Sequence, residues 1–286
     1  MRRVVTVLAC LGVLAAAGPP TAASPSVDEP SVDACGPRPA KPGGGLWSCT
    51  LDDDFTGNTL NRSLWTVSTH FVTGTPSAFA CYVDDPSVVN VAGGSLNLSV
   101  RRVVTPVSCP AAGVGNSTSY VAGTVSTVGA FSQQYGRFEA RIRATDTSDP
   151  GLHEAFWLWP EEQGLLPWPS SGEIDVSETY SVYPDRSYPY LHSTMDLLGA
   201  RPGVNTATTC VAQRGAWNTY TLEWSPTLFE FFVNGAPCLV TGSGDAAFQK
   251  AYFPILTQAL GQYADAYDGR AALPATMNVD YVRVWR

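Results

Sequence analysis

Three carboxylates stand within six residues in Glu173-Ile174-Asp175-Val176-Ser177-Glu178. On a regular β-strand, residues i and i+2 share a face, so Glu173 and Asp175 point the same way. Glu178 lies at i+5 and should point the other way. A single β-bulge between Asp175 and Glu178 would bring it back, because one extra residue resets the alternation. The segment therefore poses a test: either Glu178 is incidental, or the strand is bulged and three acids crowd one face. Crowded acids raise one another's pKa, which can keep one protonated near neutral pH. Glycoside hydrolysis needs that division of labour, with one ionised carboxylate and one protonated carboxyl. With the bulge, the two glutamates are two pleats apart, roughly 7 Å along the backbone at about 3.3 Å per residue. Their side chains can then close to about 5–5.5 Å, the spacing of a retaining double displacement. The commoner use of three such acids is a solvated face or a calcium site. The neighbours argue for chemistry: Ile174 and Val176 imply a buried opposite face, and Trp157, Trp159 and Trp168 lie just upstream as stacking platforms.

The elements that must position these acids read as β almost throughout. Leu152 to Trp159 and Gly172 to Thr179 form two strands joined by a loop bearing Pro and Trp. Polar–apolar alternation marks Ser95 to Val100, Tyr135 to Arg143, Asn218 to Trp224 and Met277 to Trp285 as half-buried strands. Asn234-Gly235, flanked by Phe229 to Val233 and Pro237 to Val240, marks a tight hairpin. Many strands separated by turn signals imply a sandwich or barrel of antiparallel strands. A sandwich with one concave face could cradle a long polymer.

Arg2 and Arg3, the apolar run Val4 to Ala17 and the small residues to Ala23 have the order of a secretory signal peptide. The run is shorter than the roughly 20 residues that span a membrane. Residues 1–23 are therefore expected to be removed, with Cys10 as signal-peptide filler, and the protein to be secreted and extracellular. Residues 24–45 are rich in Pro, Gly and Ser and read as a linker or loose arm. Residues 46–286 form one domain. Six cysteines remain, Cys35, Cys49, Cys81, Cys109, Cys210 and Cys238. An even number in an exported chain suggests disulfides, and six allow fifteen pairings. Sequential pairing is preferred because each successive pair lies in one local segment; the absence of C-x-x-C and of Cys/His clusters speaks against metal. The net charge of −8, without a basic stripe, speaks against nucleic acid. Eight Trp and twelve Tyr permit carbohydrate binding, and fit an aromatic core equally well.

The run Ser171-Gly172-Glu173-Ile174-Asp175-Val176-Ser177-Glu178 resembles the signature of glycoside hydrolase family 16 in its E-x-D-x-x-E, laminarinase-like form. Leu51–Trp65, Tyr135–Arg143, Phe156–Pro160, Trp217–Pro226 and Val279–Trp285 are also similar to family blocks, in order, over about 47–286. The resemblance implies an all-β fold, a jelly-roll sandwich of two antiparallel sheets with an open cleft on the concave face. It implies Glu173 as nucleophile, Asp175 as its assisting acid and Glu178 as general acid/base. Trp157 and Trp168 would line the cleft, His192 would face the acids, and Gln258 would reach the substrate. Glu139 and Arg141 would be structural ion-pair residues. No cofactor is required and no metal is assigned to the site; a structural calcium on the convex face would use Asp280, which alone is not a site. The Phe79 to Asn90 region fits the family loosely, so remote sugar contacts are not assigned. The expected activity is that of a monomeric endo-acting enzyme on β-1,3-glucan, a polysaccharide partner of laminarin type. Mixed-linkage glucan, galactan or transfer to a sugar are the alternatives within the chemistry. A sandwich lectin is the alternative outside it, but a lectin has no use for three converging acids.

Overall fold

The structure is a computed structural model and describes residues 31–286 apart from Val114, Gln163 and Leu165. The expected signal peptide and residues 24–30 of the expected arm lie outside the described residues. The chain begins with β1 (Val32–Asp33), β2 (Gly36–Pro37), β3 (Cys49–Asp53), β4 (Thr66–Val67) and β5 (Val72–Thr75). It continues through β6 (Ala78–Tyr82), β7 (Val89–Ala92), β8 (Ser95–Ser108), β9 (Ser117–Ala122) and β10 (Thr124–Ser126). Then come β11 (Gly136–Arg143), β12 (Leu152–Pro160), β13 (Glu173–Tyr180), β14 (Arg186–His192) and β15 (Cys210–Val211). The last are β16 (Asn218–Trp224), β17 (Leu228–Val233), β18 (Ala236–Gly242), β19 (Tyr252–Leu260) and β20 (Ala275–Trp285).

Two large sheets result. One has seven strands in the order β15-β14-β13-β12-β19-β10-β4. The other has eleven, in the order β18-β17-β16-β11-β20-β8-β9-β6-β5 along its main path, with β3 against β20 and β7 against β8. Phe156, Leu158, Ile174, Leu191 and Leu256 of the first share one core with Phe138, Leu222, Phe231, Val282 and Val284 of the second. The two-residue alternation of each strand commits one face to this core. In β12, Leu152, Phe156 and Leu158 are fully buried, while His153, Trp157 and Trp159 are half-buried on the other side.

The pairing is antiparallel as expected except for β6 with β9, which is parallel (Ala80↔Tyr120, Tyr82↔Ala122). The β8–β9 hairpin brings β9 beside a strand from earlier in the chain, so no short turn dictates its direction. The Asn234-Gly235 hairpin forms as read, with both residues at positive φ (52° and 78°) and Val233 paired with Ala236. The disulfides are Cys35–Cys49, Cys81–Cys109 and Cys210–Cys238, the sequential pairing. The first of them alters the picture of the arm. Within Ser31–Gly45, β1 and β2 form a small hairpin, Cys35 is buried at 1% exposure, and Asp33 accepts from the Cys49 amide at 2.8 Å. This stretch is therefore fastened to the sandwich rather than loose.

Candidate active site

The outer face of the seven-stranded sheet carries the acids, and a bulge places the third. Toward β12, Asp175 pairs with Trp157 and Ser177 with Phe156, so Val176 has no partner. Toward β14, Asp175 pairs with Tyr190 and Glu178 with Tyr188, so Val176 and Ser177 together stand opposite Pro189. A proline has no N–H to offer the ladder, which accounts for regular pairing failing at this point. Val176 and Ser177 both turn inward: Val176 joins the core, and the buried Ser177 hydroxyl meets that of Ser187 at 2.9 Å. Glu178 thereby returns to the face of Glu173 and Asp175. The start of β13 is fixed as tightly. Gly172 has φ +92°, and a Cβ there would lie 2.1 Å from the Tyr252 hydroxyl. Glycine is the residue that fits.

Each acid has its own partners. Trp168 Nε1 donates to Glu173 Oε2 at 2.6 Å. Asp175 Oδ2 lies 3.1 Å from His192 Nε2, and His192 Nδ1 lies 2.5 Å from Asp196 Oδ2. Tyr190 stacks on the His192 ring at 4.1 Å and 11°. Glu178 Oε1 accepts from the Tyr180 hydroxyl at 2.6 Å and lies 3.1 Å from His153 Nε2. The His153 and Tyr180 rings stack at 4.5 Å and 12°. Strand order puts one histidine on each side of the acid-bearing strand, His192 from β14 and His153 from β12.

The environments differ in sign. Burial, and then the charge of Asp175, push the Glu173 carboxyl well above its ordinary value, against the pull of His192 and Trp168. Burial and Glu178 push Asp175 up to about 6. Burial also pushes Glu178 upward, but His153 and Tyr180 outweigh it, and its net direction is down. Burial disfavours charge on His192, yet Asp175, Glu173 and Asp196 raise it to about 10. His153 is raised in the same way, chiefly by Glu178. The shifts thus oppose one another along the strand, upward at Glu173 and Asp175 and downward at Glu178.

A pocket of about 560 Å³ opens beside Glu173, lined among others by His70, Phe71, Trp157, Trp159, Trp168 and Phe253. Trp157 is anchored by its Nε1–H to Thr257 Oγ1 at 2.9 Å. Trp157 and Trp168 line this pocket, and His192 faces Asp175. Gln258, expected to reach the substrate, does neither. It pairs with Glu154 across β12 and β19, on the core side of the sheet, and is 0% exposed. The neighbouring Thr257 takes the outer face. His153 and Tyr180 were missed, although both follow from parity: 153 matches 157 and 159, and 180 matches 178.

Metal ligands were also weighed. Glu173, Asp175 and His192 offer atoms within 4.8 Å of one another, but His192 is already committed to two carboxylates. The Asp280 carboxylate lies 2.6 Å from Arg141 Nη1, and it joins no candidate ligand group among the described residues. Glu139 pairs with Arg137 at 2.5 Å, so Glu139 and Arg141 are both in ion pairs, though not with each other.

The family model described as Glycosyl hydrolases family 16 matches residues 76–283. The chain belongs to this family. A keratan-sulfate endo-1,4-beta-galactosidase of Sphingobacterium multivorum is 33% identical over 60% of this chain and 42% of its own length. A beta-glucanase of Rhodothermus marinus is 31% identical over 58% of this chain and 63% of its own. The chain thus spans less than two thirds of these curated relatives. The solved laminarinase from Rhodothermus marinus superposes with a TM-score of 0.68 at 26% identity, covering 84% of this chain and 97% of that one. Family 16 membership accounts for the sandwich.

Proposed function

We infer that the protein is a secreted, endo-acting glycoside hydrolase that cleaves β-1,3-glucan with retention of anomeric configuration. The observation that carries this reading is the bulge at Val176-Ser177, which brings Glu178 onto the face of Glu173 and Asp175. In the first step the Glu173 carboxylate attacks the anomeric carbon while Glu178 passes a proton to the departing oxygen; in the second, water attacks and Glu178 takes its proton. The Trp168 N–H and the His192 cation pull Glu173 toward the ionised form that this requires, against burial and the charge of Asp175. Asp175 keeps that cation in place at 3.1 Å. Trp157, Trp159 and Trp168 offer ring faces to sugars beside the reacting bond, where binding energy can distort the ring being cleaved. The basic–apolar–small leader and the three disulfides support action outside the cell.

A second reading, the same chemistry on a galactan, is favoured by the 33% identity to the keratan-sulfate galactosidase. One assay separates them. Purified protein is incubated with laminarin, lichenan, agarose, carrageenan and keratan sulfate, and reducing ends are followed. Release from laminarin is expected; release from galactans alone moves the substrate, and release from none removes the enzyme. E173Q should lose at least about a thousandfold in kcat, a covalent nucleophile being replaced by an amide. An NMR time course of the first product should show the β-anomer.

A further inference from the structure

Glu178 has a partner that the hydrolytic scheme does not yet use. His153 Nε2 is shielded from solvent, meets no other hydrogen-bond partner, and lies 3.1 Å from Glu178 Oε1 in an ion pair that is not an aligned hydrogen bond; the same oxygen accepts the Tyr180 hydroxyl. The imidazole is held flat against Tyr180 at 4.5 Å, so it cannot swing away without unstacking. From β13 it meets Glu178 and Tyr180, with Asp175 farther along the strand. From β19 its cross-strand neighbour is Ala259, which carries no charge. Glu154, next in β12, lies on the core side and adds its charge in the same sense as Glu178. The groups that favour charge on this ring are Glu178, Glu154 and Asp175, and Glu154 is itself paired with Arg214 at 2.8 Å.

Resting on the reading of Glu178 as acid/base, we propose that His153 is its proton reservoir, and that the pair shares the one proton used in catalysis. In the first step the proton on His153 Nε2 moves to Glu178 and from it to the glycosidic oxygen. The C–O bond breaks with its electron pair left on that oxygen, and the anomeric carbon bonds to Glu173. In the second step water bonds to the anomeric carbon, Glu178 takes its proton and returns it to His153, and the C–O pair goes back to Glu173. A shared proton is lost at a pH no lower than either member would lose it beside a neutral partner. His153 therefore keeps one proton on the pair to a higher pH than Glu178 alone would hold it. It supplies a proton to a carboxylate whose pKa the ring itself pulls down.

The test is the pH profile of kcat/KM for H153Q. Its alkaline limb should fall by about one pH unit or more, the size of shift that one adjacent charge produces. At pH 7 kcat on laminarin should drop about tenfold or more, with KM little changed, as for a weakened general acid. The loss should be much smaller on a dinitrophenyl β-glycoside, whose leaving group needs no proton. An alkaline limb that stays or rises overturns the proposal. A second measurement does not depend on that variant folding. With three histidines in the chain, the imidazole nitrogens can be titrated by NMR on the labelled protein. His153 should be cationic at pH 7 in the wild type and lose that charge in E178Q; a neutral His153 at pH 7 overturns the proposal. If E178Q itself keeps wild-type turnover on the polysaccharide, the acid/base reading falls and the reservoir with it. If E178Q is inactive while H153Q keeps the wild-type limb, the reservoir alone falls.

Discussion

Replacing Trp168 by Phe isolates one hydrogen bond at the nucleophile. The indole Nε1–H donates to Glu173 Oε2 at 2.6 Å and can do so fully only when that oxygen is ionised or unprotonated. Hydrogen bonds to charged groups contribute about 1.5–3 kcal/mol, and Trp168 is 53% exposed, so water competes and the lower end applies. About 1.4 kcal/mol corresponds to one pH unit. The sign is fixed: the bond favours the anion, so removing it raises the Glu173 pKa from a value already lifted by burial and Asp175. The acid limb of kcat/KM, which reports ionisation of the free nucleophile, should therefore move up by about one pH unit in W168F. The phenyl ring keeps most of the stacking face, so the plateau above the limb should fall less than the rate on the limb. The assay is kcat/KM on laminarin from pH 4 to 9 for both proteins. A plateau that falls while the limb stays in place would show that Trp168 is a platform and nothing more.

The Asp175 contact with His192 should be visible in stability. A histidine raised from 6.5 to about 10 stabilises the fold fully below 6.5, and that contribution is lost as pH rises through 10. D175N removes the leading cause, so the lead of wild type over D175N in urea melts should narrow between pH 6.5 and 10; parallel curves would refute the pairing. Gln258 provides a control outside the site. Its Oε1 is buried without a partner, and replacing it by Met removes an unsatisfied group whose burial costs about 1–3 kcal/mol. Q258M should therefore be at least as stable as wild type and turn over at the wild-type rate, whereas a large loss of activity would return Gln258 to the substrate face.

The acids were legible because the sequence carries both the periodicity and its break. Ile174 and Val176 fixed the inward face, and the i+5 offset of Glu178 demanded the bulge that Pro189 imposes from the next strand. Gln258 was misplaced because β19 is buried along its whole length and shows no alternation from which to tell its faces. Asp280, named only as a residue that a calcium would use, was not legible as an ion-pair member for a related reason. Its partner Arg141 sits where the β11–β20 register slips, between Arg141 and Ile142, and register between distant strands leaves no mark on either one. The arm misled by composition: Ser31–Gly45 is poor in large apolar groups, and it is the Cys35–Cys49 bond that ties it down.

His153 was overlooked although its parity was plain, because a lone histidine says nothing until its cross-strand neighbour is known. Once strand order is fixed, two histidines flank the acids for different reasons. A retaining hydrolase needs opposite states on the same face at the same pH: an ionised nucleophile and a proton beside the leaving oxygen. Among three buried carboxylates each ionised acid pushes the next toward protonation, so which of them keeps the proton depends on their partners. His192, wedged between Asp175 and Asp196, has its charge pinned by two anions, which makes it a fixed cation able to favour the Glu173 anion. His153 meets one carboxylate and a phenol, so its proton has somewhere to go. The same side-chain type thus serves as a counter-ion on β14 and as a proton store on β12. The difference lies in how many anions each ring touches.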